Sequence, residues 1–296
     1  MSKQAYEKKL AAIEALRREE LTAAAPALRK ALKERNNFLV SKAAAAAEAL
    51  GARDLIPCLC AAFERFFEDP VKTDPQCWAK NALAKALKNL EHDDASVFLR
   101  GLRYCQWEPS WGRPEDSAVT LRGTCAHALT ACGLTRMEML AHLTDLLVDH
   151  SKAVRVEAVR AIGAAGGLEG GLLLRLKARS GDTEPEVTGQ CLSAMAERGE
   201  IGFVREFLEA GDPDVRMEAA AALAESRDPD AVRPLGDFWK SLRDPRDKRA
   251  LLQLLAVSPS EEAGALLRGI GEDPGEPLAQ EALAAWRGSR HARLSE

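Results

Sequence analysis

The chain has 296 residues, of which 46% are hydrophobic, 29% are charged and only 5% are aromatic. This balance is typical of a globular protein and excludes an intrinsically disordered chain. The formal net charge of −4 provides no general attraction for nucleic acid, which argues against a protein whose whole surface binds DNA or RNA.

The first predicted element is an amphipathic helix over residues 3–20, with apolar side chains at helical spacing. We expect residues 1–22 to form an N-terminal capping helix, because the end of a stack of repeats needs a cover for its apolar face. Helices then follow in pairs. The first three pairs are predicted at 23–34 with 38–50, 54–68 with 75–90, and 95–104 with 117–131. For the helix over 75–90, Asp74 is the expected N-cap and Pro75 the expected first residue.

The third pair is interrupted at residues 105–116, which read Cys-Gln-Trp-Glu-Pro-Ser-Trp-Gly-Arg-Pro-Glu-Asp. This is the longest interruption in the predicted array. Tighter pairs follow, at 135–148 with 151–165, 168–179 with 184–198, 200–210 with 213–225, 229–242 with 245–257, and 260–271 with 275–286. We therefore assign residues 23–287 to one array of pairs. The tail, residues 288–296, has no apolar face and is expected to fray.

A repeated motif accompanies the second helix of each pair. An Asp, or Asn36 in the first pair, precedes the helix at positions 36, 74, 116, 149, 182, 212, 244 and 273, so the period lies between 29 and 42 residues. Such a period is typical of stacked helical repeats. A basic residue follows four to six positions later, except where Thr188 or Pro277 stands there. Seven positions beyond that column, the residue is apolar or small in every repeat.

The motif is clearest from Asp149 to Gly163 and from Asp212 to Leu223, and these stretches resemble the HEAT-repeat family, in the short form of phycobilisome-lyase-like proteins. The resemblance covers about residues 23–287. It implies an all-α fold, an α-solenoid wound as a right-handed superhelix of about eight HEAT-like helical pairs. It implies little about function, because repeat arrays support many unrelated roles.

We interpret the two recurring polar columns as structural. The Asp accepts hydrogen bonds from free amides at the start of its helix. The HEAT resemblance implies that the basic residue bonds the Asp of its own or the next repeat, which would give a ladder along the stack. The expected members of this ladder are Asp74, Asp116, Arg122, Asp149, Arg155, Asp182, Asp212, Arg216 and Asp244.

A different column suggests a binding face. Lys85, His127 and Arg160 occupy the same position on three successive second helices, off the apolar stripe, and would form a short basic strip. The HEAT resemblance implies that these helices line the concave side of the stack. The alternative is a solvated face that binds no ligand.

The loop over residues 105–116 carries a second candidate for binding. Trp107 and Trp111, together with Arg113, would anchor a protein or peptide, because Trp is enriched at the hot spots of interfaces. The alternative is that the rings fold back as a lid over the core of the third repeat.

Residues that would indicate catalysis or a cofactor are missing from the sequence. There is no glycine-rich phosphate loop, and there is no His-Glu dipeptide of the kind that binds iron in HEAT-like hydroxylases. We expect no thiol or carboxylate set to complete a metal site with His142 and His150. The seven cysteines include no Cys-x-x-Cys pair, which favours reduced thiols. We therefore predict no catalytic residue, no metal and no cofactor.

These features favour a non-catalytic scaffold or adaptor that binds a protein or peptide on the concave face and at the loop of the third repeat. One alternative, from the family resemblance alone, is a bilin-lyase-like enzyme or chaperone-lyase that handles a tetrapyrrole. Another is a DNA-binding or DNA-repair protein of the HEAT-like glycosylase type, although the acidic net charge disfavours nucleic acid. The charged N-terminus and the lack of a long apolar run predict a cytoplasmic protein without membrane insertion.

Overall fold

The computed structural model describes residues 3–289, and these residues are mainly helical. The helices are α1 (Lys3–Ala15), α2 (Leu21–Ala31), α3 (Asn37–Ala49), α4 (Ile56–Arg65), α5 (Pro70–Thr73), α6 (Trp78–Asn89), α7 (Ala95–Leu102), α8 (Val119–Leu129), α9 (Arg136–Leu146), α10 (Lys152–Ala165), α11 (Gly167–Ser180), α12 (Pro185–Glu197), α13 (Ile201–Arg205), α14 (Pro213–Glu225), α15 (Arg233–Ser241), α16 (Pro245–Val257), α17 (Glu261–Glu272) and α18 (Ala279–Gly288). Short 3-10 helices cover Leu16–Arg18, Arg53–Leu55, Pro75–Cys77 and Glu206–Glu209. Two short strands, β1 (Trp107–Glu108) and β2 (Glu115–Asp116), pair in antiparallel fashion.

The prediction of an all-α solenoid of about eight helical pairs is confirmed. The pairs are α2 with α3, α4 with α6, α7 with α8, α9 with α10, α11 with α12, α13 with α14, α15 with α16, and α17 with α18. The chain divides into two compact units, Met1–Ala161 and Ile162–Glu296, and the boundary falls inside α10. The right-handed sense and the assignment of residues 1–22, 23–287 and 288–296 stay predictions, and residues 290–296 lie outside the described part.

Small residues let the second helices of the first unit pack side by side. α6 packs against both α3 and α8, and Ala86 and Ala128 are buried between neighbouring elements. Gly101 on α7 permits an equally close approach to α8, because a Cβ at that position would lie 2.5 Å from Sγ of Cys125. The resulting close packing fixes the outer faces of α3, α6 and α8 in one continuous surface.

In the second unit, α12, α14 and α16 repeat the same arrangement. The apolar column of the repeated motif is fully buried there at Met195, Leu223 and Leu255. The column departs from this pattern at the two ends of the array, where Ala49 and Ala284 are exposed.

The helix predicted over residues 75–90 begins later than expected. Pro75 belongs to a 3-10 turn in which Gln76 and Cys77 have φ of 59° and 54°, and α6 begins at Trp78. The assignment of Pro75 as the first helical residue, with Asp74 as the adjacent N-cap, is therefore wrong. The Asp74 carboxylate still accepts hydrogen bonds from amides in the first turn of α6, because the intervening turn folds back towards it.

Three further differences concern segment ends. Asp273 accepts a hydrogen bond from the amide of Gly275, but α18 begins only at Ala279, so Asp273 does not cap that helix. The helix predicted over 54–68 ends at Arg65, and a short helix, α5, follows it. The predicted loop over 105–116 contains the β1–β2 hairpin. Propensity alone did not distinguish these short elements from loop.

A buried ion pair joins α6 to the elements around it. The side chains of Lys80 and Asp74 are both fully buried, with Nζ 2.9 Å from Oδ2. Lys80 Nζ also donates a hydrogen bond to the carbonyl of Phe66 and lies over the rings of Phe67 and Tyr104. The two charges are thus satisfied within the protein, as buried charges must be.

We expect Lys80→Met to lower the free energy of unfolding by about 3–5 kcal/mol, because it leaves the Asp74 carboxylate buried without its cation. The measurement is urea unfolding followed by far-UV circular dichroism. Lys85→Met, on the exposed side of the same helix, is the matched control and should change stability by less than about 0.5 kcal/mol. Equal stability of the two variants would contradict the structural role of Lys80.

Candidate functional site

A depression of about 440 Å³ lies on the outer face of the second helices in the first unit. We call this depression the groove. Its walls carry two aromatic rings, three cationic side chains and one carboxylate, namely Phe38, Trp78, Arg17, Lys42, Lys85 and Glu48. Arg17 comes from the 3-10 helix that follows α1, so the N-terminal segment contributes to one wall.

Trp78 is the most distinctive side chain of the groove. It is 46% exposed, although Trp is among the most costly side chains to leave in water. Its ring packs edge-on against Phe38, with centroids 5.4 Å apart and an interplanar angle of 61°. The Nζ of Lys42 lies 5.1 Å from the centroid of the Phe38 ring. The aromatic pair is therefore held in place while one indole face remains accessible.

The sequence analysis missed Trp78, and a signal for it was present. Trp78, Asn81, Ala82 and Lys85 follow helical spacing and all line the groove, whereas the opposite face of α6 is buried. A large aromatic residue on the polar stripe of an amphipathic helix indicates a binding face better than a column of charges does.

Asn81 adds an unsatisfied polar group to the same wall. Among the described residues, its Oδ1 is buried and has no hydrogen-bond partner. Buried polar atoms are nearly always hydrogen-bonded. A small rotation of the Asn81 side chain would bring this acceptor to the groove surface, where it could accept an N–H group from a ligand.

The groove continues towards α10. A second depression of about 270 Å³ shares Thr120 and Thr124 with the first and is also lined by Lys88, His127 and Glu157. The outer faces of α3, α6, α8 and the start of α10 therefore form one surface.

The structure corrects the expected basic strip. Lys85 is exposed in the groove, as predicted, but His127 and Arg160 both contact Glu157, at 2.7 Å in each case. This carboxylate offsets positive charge at that end of the strip. The first depression instead groups Lys85 with Arg17 and Lys42, which the columns of the repeat did not single out as a group, whereas Lys88 lies with His127 and Glu157 in the second depression.

The hairpin places its two Trp side chains differently. Trp111, at the tip, is fully exposed, and the nearby Arg113 is exposed. Trp107, on β1, is 54% exposed and its ring lies over the imidazole of His150, with centroids 5.0 Å apart. The alternative in which both rings form a lid over the core of the third repeat is wrong for Trp111, because its side chain is fully exposed.

The base of the hairpin is anchored by one carboxylate. Glu108 Oε1 accepts hydrogen bonds from the amide of Gln76, the side-chain amide of Gln106 and the hydroxyl of Ser117, at 2.6, 2.7 and 2.6 Å. Gln76 precedes α6 and Ser117 precedes α8, whereas His150 precedes α10. The hairpin therefore lies at the N-terminal ends of the helices whose outer faces line the groove.

A thiol, a carboxylate and an imidazole meet where the hairpin joins the repeats. One ligand atom each from Cys105, Asp116 and His150 lie within 4.8 Å of one another. The expectation that no thiol or carboxylate accompanies His150 is therefore wrong. Sequence spacing could not show this, because Cys105 and Asp116 are brought together by the hairpin and His150 belongs to the next repeat.

The electrostatics of this cluster depend on burial. Burial opposes the ionisation of Asp116, but hydrogen bonds from the amides of Gln106 and Ala118 and the neighbouring Arg122 outweigh it and hold the pKa of this carboxyl below its ordinary value. Burial raises the pKa of the Cys105 thiol, although Arg122 partly opposes this rise. At neutral pH the cluster thus combines a carboxylate with a protonated thiol.

The expected ladder members make unequal contacts. Arg122 contacts Asp116 of its own repeat at 2.7 Å and Asp149 of the next repeat at 2.9 Å. Arg155 donates to the carbonyl of Asp149 at 2.8 Å, and Arg216 donates to the carbonyl of Ala210 at 3.3 Å.

The Asp residues that precede the later second helices also differ in the contacts that they make. Asp212 and Asp244 accept hydrogen bonds from the amides two residues further on and cap α14 and α16. Asp182 forms an ion pair at 2.7 Å with Lys177, which lies on α11, the first helix of the same pair. Capping recurs more regularly than the bond between repeats does. The uniform ladder that the sequence suggests remains a prediction.

A known family of helical repeats matches the C-terminal part of the array. A model of HEAT repeats matches residues 171–256 and again 201–286. Antiparallel helical pairs stacked in series define the class of α-helical repeat proteins. Residues 171–286 are therefore HEAT repeats, and the other described pairs share the all-α solenoid fold.

Solved structures agree with this fold at low sequence identity. The structure of YibA from Escherichia coli is 14% identical, has a TM-score of 0.51, and the match covers 98% of each chain. The CpcE–CpcF complex of phycocyanin lyase from Nostoc sp. PCC7120 is 15% identical with a TM-score of 0.37, over 73% of this chain and 90% of that chain. An engineered protein is 18% identical with a TM-score of 0.36, over 97% and 83%. Only the YibA structure has a TM-score above 0.5, and at 14% identity this similarity supports the fold alone.

Two searches gave negative results, one among curated sequences and one for helices that could cross a membrane. No curated protein sequence matches the chain. Within residues 3–289, no helix combines the length and the apolar character that crossing a membrane requires.

We expect Trp111→Ala to change the free energy of unfolding by less than about 0.5 kcal/mol, because the ring is fully exposed. Phe63→Ala removes a fully buried aromatic ring of the same unit and should cost about 3–5 kcal/mol. Thermal and urea unfolding of both variants provide the measurement. A large loss of stability in Trp111→Ala would restore the interpretation of the hairpin as a lid.

Proposed function

We propose that the protein is a non-catalytic scaffold that binds an acidic, extended segment of a partner protein along the groove of the first unit. The single observation that supports this most strongly is Trp78, a half-exposed aromatic side chain that lines a depression together with three cationic side chains. Solenoids typically present their ligand-binding surface in this way.

Trp78 would be the anchor of the interface. Trp and Tyr dominate binding hot spots because they bury a large apolar area at a small cost in conformational entropy. The edge-on contact with Phe38 orients the indole before the partner arrives. A preoriented ring loses little freedom on binding, which favours affinity.

The charges of the groove select the class of partner. Three cationic side chains and one carboxylate line the larger depression, and Lys88 extends the positive charge into the second. Lys42 lies 3.6 Å from Glu14, but both side chains are more than a third exposed, so this pair competes only weakly with a ligand. A partner rich in Asp and Glu is complementary to this surface. Exposed charges of this kind act mainly on specificity and on the association rate.

The Asn81 side chain lines the groove, and after a small rotation its unpaired Oδ1 could accept an N–H group from a polypeptide in an extended conformation. An extended chain presents N–H groups that a helix would already have used. Second helices lie about 8–10 Å apart in packed arrays, so the surface from α3 to α10 spans roughly 25–30 Å. A segment of about eight extended residues would cover that distance.

The hairpin would provide a second contact. It is anchored at the N-terminal ends of the helices that line the groove, and its tip exposes Trp111 and Arg113. In this proposal Lys85 contacts the partner directly, whereas His127 and Arg160 act through Glu157, which they hold in place.

The bilin-lyase-like and DNA-binding alternatives have no comparable observation in their favour among residues 3–289. Carboxylate-rich ligands other than peptides would also meet the same cations. The experiment below therefore includes a bilin and a DNA duplex as competing ligands.

The test is a selection of random 12-residue peptides on the immobilised full chain, followed by affinity measurement by fluorescence anisotropy. We expect the selected peptides to be rich in Asp and Glu and to contain an apolar anchor residue. Trp78→Ala should weaken their binding about 30-fold, which corresponds to about 2 kcal/mol. Lys85→Glu should weaken binding and reduce its dependence on salt.

Lys240→Glu, an exposed substitution in the second unit, is the matched control and should leave the affinity unchanged. Peptides that bind Trp78→Ala as well as they bind the parent protein would contradict the groove as the site. Binding that is lost only in Trp111→Ala would assign the site to the hairpin instead. Tight, salt-sensitive binding of a DNA duplex, or a shifted absorption spectrum of added bilin, without peptide binding would overturn the proposal.

A further inference from the structure

We propose that Cys105, Asp116 and His150 form a binding site for one divalent transition-metal ion of the Zn²⁺ class at the base of the hairpin. The three residues offer one sulfur, one oxygen and one nitrogen ligand atom within 4.8 Å of one another. These are the three ligand types that Zn²⁺ binds in proteins. This site is separate from the groove and does not depend on the function proposed for it.

The carboxylate is oriented for this role. The Asp116 side chain is 3% exposed, and its Oδ1 accepts hydrogen bonds from the amides of Gln106 and Ala118, both at 3.0 Å. Its Oδ2 is buried, forms an ion pair with Arg122 Nη1 at 2.7 Å and lies 3.1 Å from His150 Nε2. A buried carboxylate oxygen with spare capacity, facing an imidazole nitrogen, is the arrangement that a metal ion would complete.

The imidazole has the support that metal-binding histidines usually have. His150 Nε2 faces Asp116, and its Nδ1 lies 3.5 Å from Oδ1 of Asp149. A carboxylate near the second ring nitrogen favours a proton on that nitrogen, which leaves the first nitrogen available to bind metal. Asp149 is held in turn by two hydrogen bonds from Arg122, at 2.9 and 3.1 Å.

The nearby guanidinium does not exclude a cation. Arg122 carries one positive charge, and Asp116 and Asp149 carry one negative charge each, so the cluster has an excess negative charge while the thiol is protonated. Metal binding would release the Cys105 proton to the solvent and form a bond between the metal ion and the thiolate sulfur. The excess charge, the new thiolate and the divalent ion then sum to neutrality.

The distances require only small adjustments. A tetrahedral Zn²⁺ with bonds of about 2.0–2.3 Å holds its ligand atoms about 3.3–3.7 Å apart. Cys105 and His150 are both exposed, so their side chains can rotate by the amount needed while Asp116 stays fixed. The same exposure leaves the fourth position open for water or for a donor from a partner.

The position of the site gives it a structural consequence. Cys105 and Asp116 are the first and last residues of the interruption over 105–116, and His150 belongs to the following repeat. One ion would therefore join both ends of the hairpin to the next helical pair. The ring of Trp107 packs on His150, with centroids 5.0 Å apart, and so links the hairpin to this ligand.

The test uses the full chain, treated with chelator and kept in a non-thiol reductant, and titrated with Co²⁺. We expect one Co²⁺ per chain, with d–d bands in the visible region and a thiolate-to-cobalt charge-transfer band in the near ultraviolet. Added Zn²⁺ should displace Co²⁺ and remove both bands. Cys105→Ser should abolish the charge-transfer band, and His150→Gln should weaken Co²⁺ binding at least about 10-fold. Both residues are exposed, so these variants are expected to fold.

Cys60 and His92 provide a matched control, because Sγ lies 3.6 Å from Nε2 and no third ligand-bearing side chain is grouped with them in the described part of the chain. Cys60→Ser and His92→Gln should keep the spectrum of the parent protein. Alkylation followed by mass spectrometry gives a second readout, in which Zn²⁺ should protect Cys105 and not Cys58. A parent protein without a thiolate band, or a band that survives Cys105→Ser, would overturn the proposal.

Discussion

The buried guanidinium of Arg122 is the interaction on which the third repeat depends. Only 1% of this residue is exposed, and its donors reach Asp116, Asp149 and the carbonyl of Tyr104. Withdrawing such a charge from water costs several kcal/mol unless its donors are satisfied, so the surrounding acceptors must stay in place. Arg122 thereby fixes the end of the hairpin against the segment that precedes α10, the second helix of the next pair. The Cys105 cluster lies at this junction, because Arg122 also donates to the Cys105 sulfur and the Tyr104 carbonyl.

The residues of the array are of two kinds, those that recur in every repeat and those that occur only once. The alanines, leucines and capping aspartates recur because every repeat needs the same packing and the same satisfied amides. Trp78, Asn81 and the hairpin occur once, on outer faces that packing leaves free. The stability of the repeats does not explain features that occur only once. The proposed peptide groove and the proposed metal site both depend on such features.

The second unit shows how far an apolar pattern can mislead. α11 buries Leu174 and Ala178, but Leu168, Leu172 and Leu176 on another side are 81%, 68% and 64% exposed. All of these residues fit a helix, and the sequence predicts the helix correctly. Which side of the helix is buried depends on the glycines that let neighbouring elements approach, and hydrophobicity alone does not reveal that.

The sequence alone determined the helical class, the number of pairs and most helix positions, because each repeat carries its own caps and apolar face in local order. It also identified Lys85 and the Trp-bearing loop as unusual. Only the tertiary structure decided that Glu157 offsets the charge of His127 and Arg160, and that Trp78 lies in a groove. Contacts of this kind join residues about one repeat apart, and their geometry depends on the small differences in length and crossing angle between successive pairs, which no local pattern encodes.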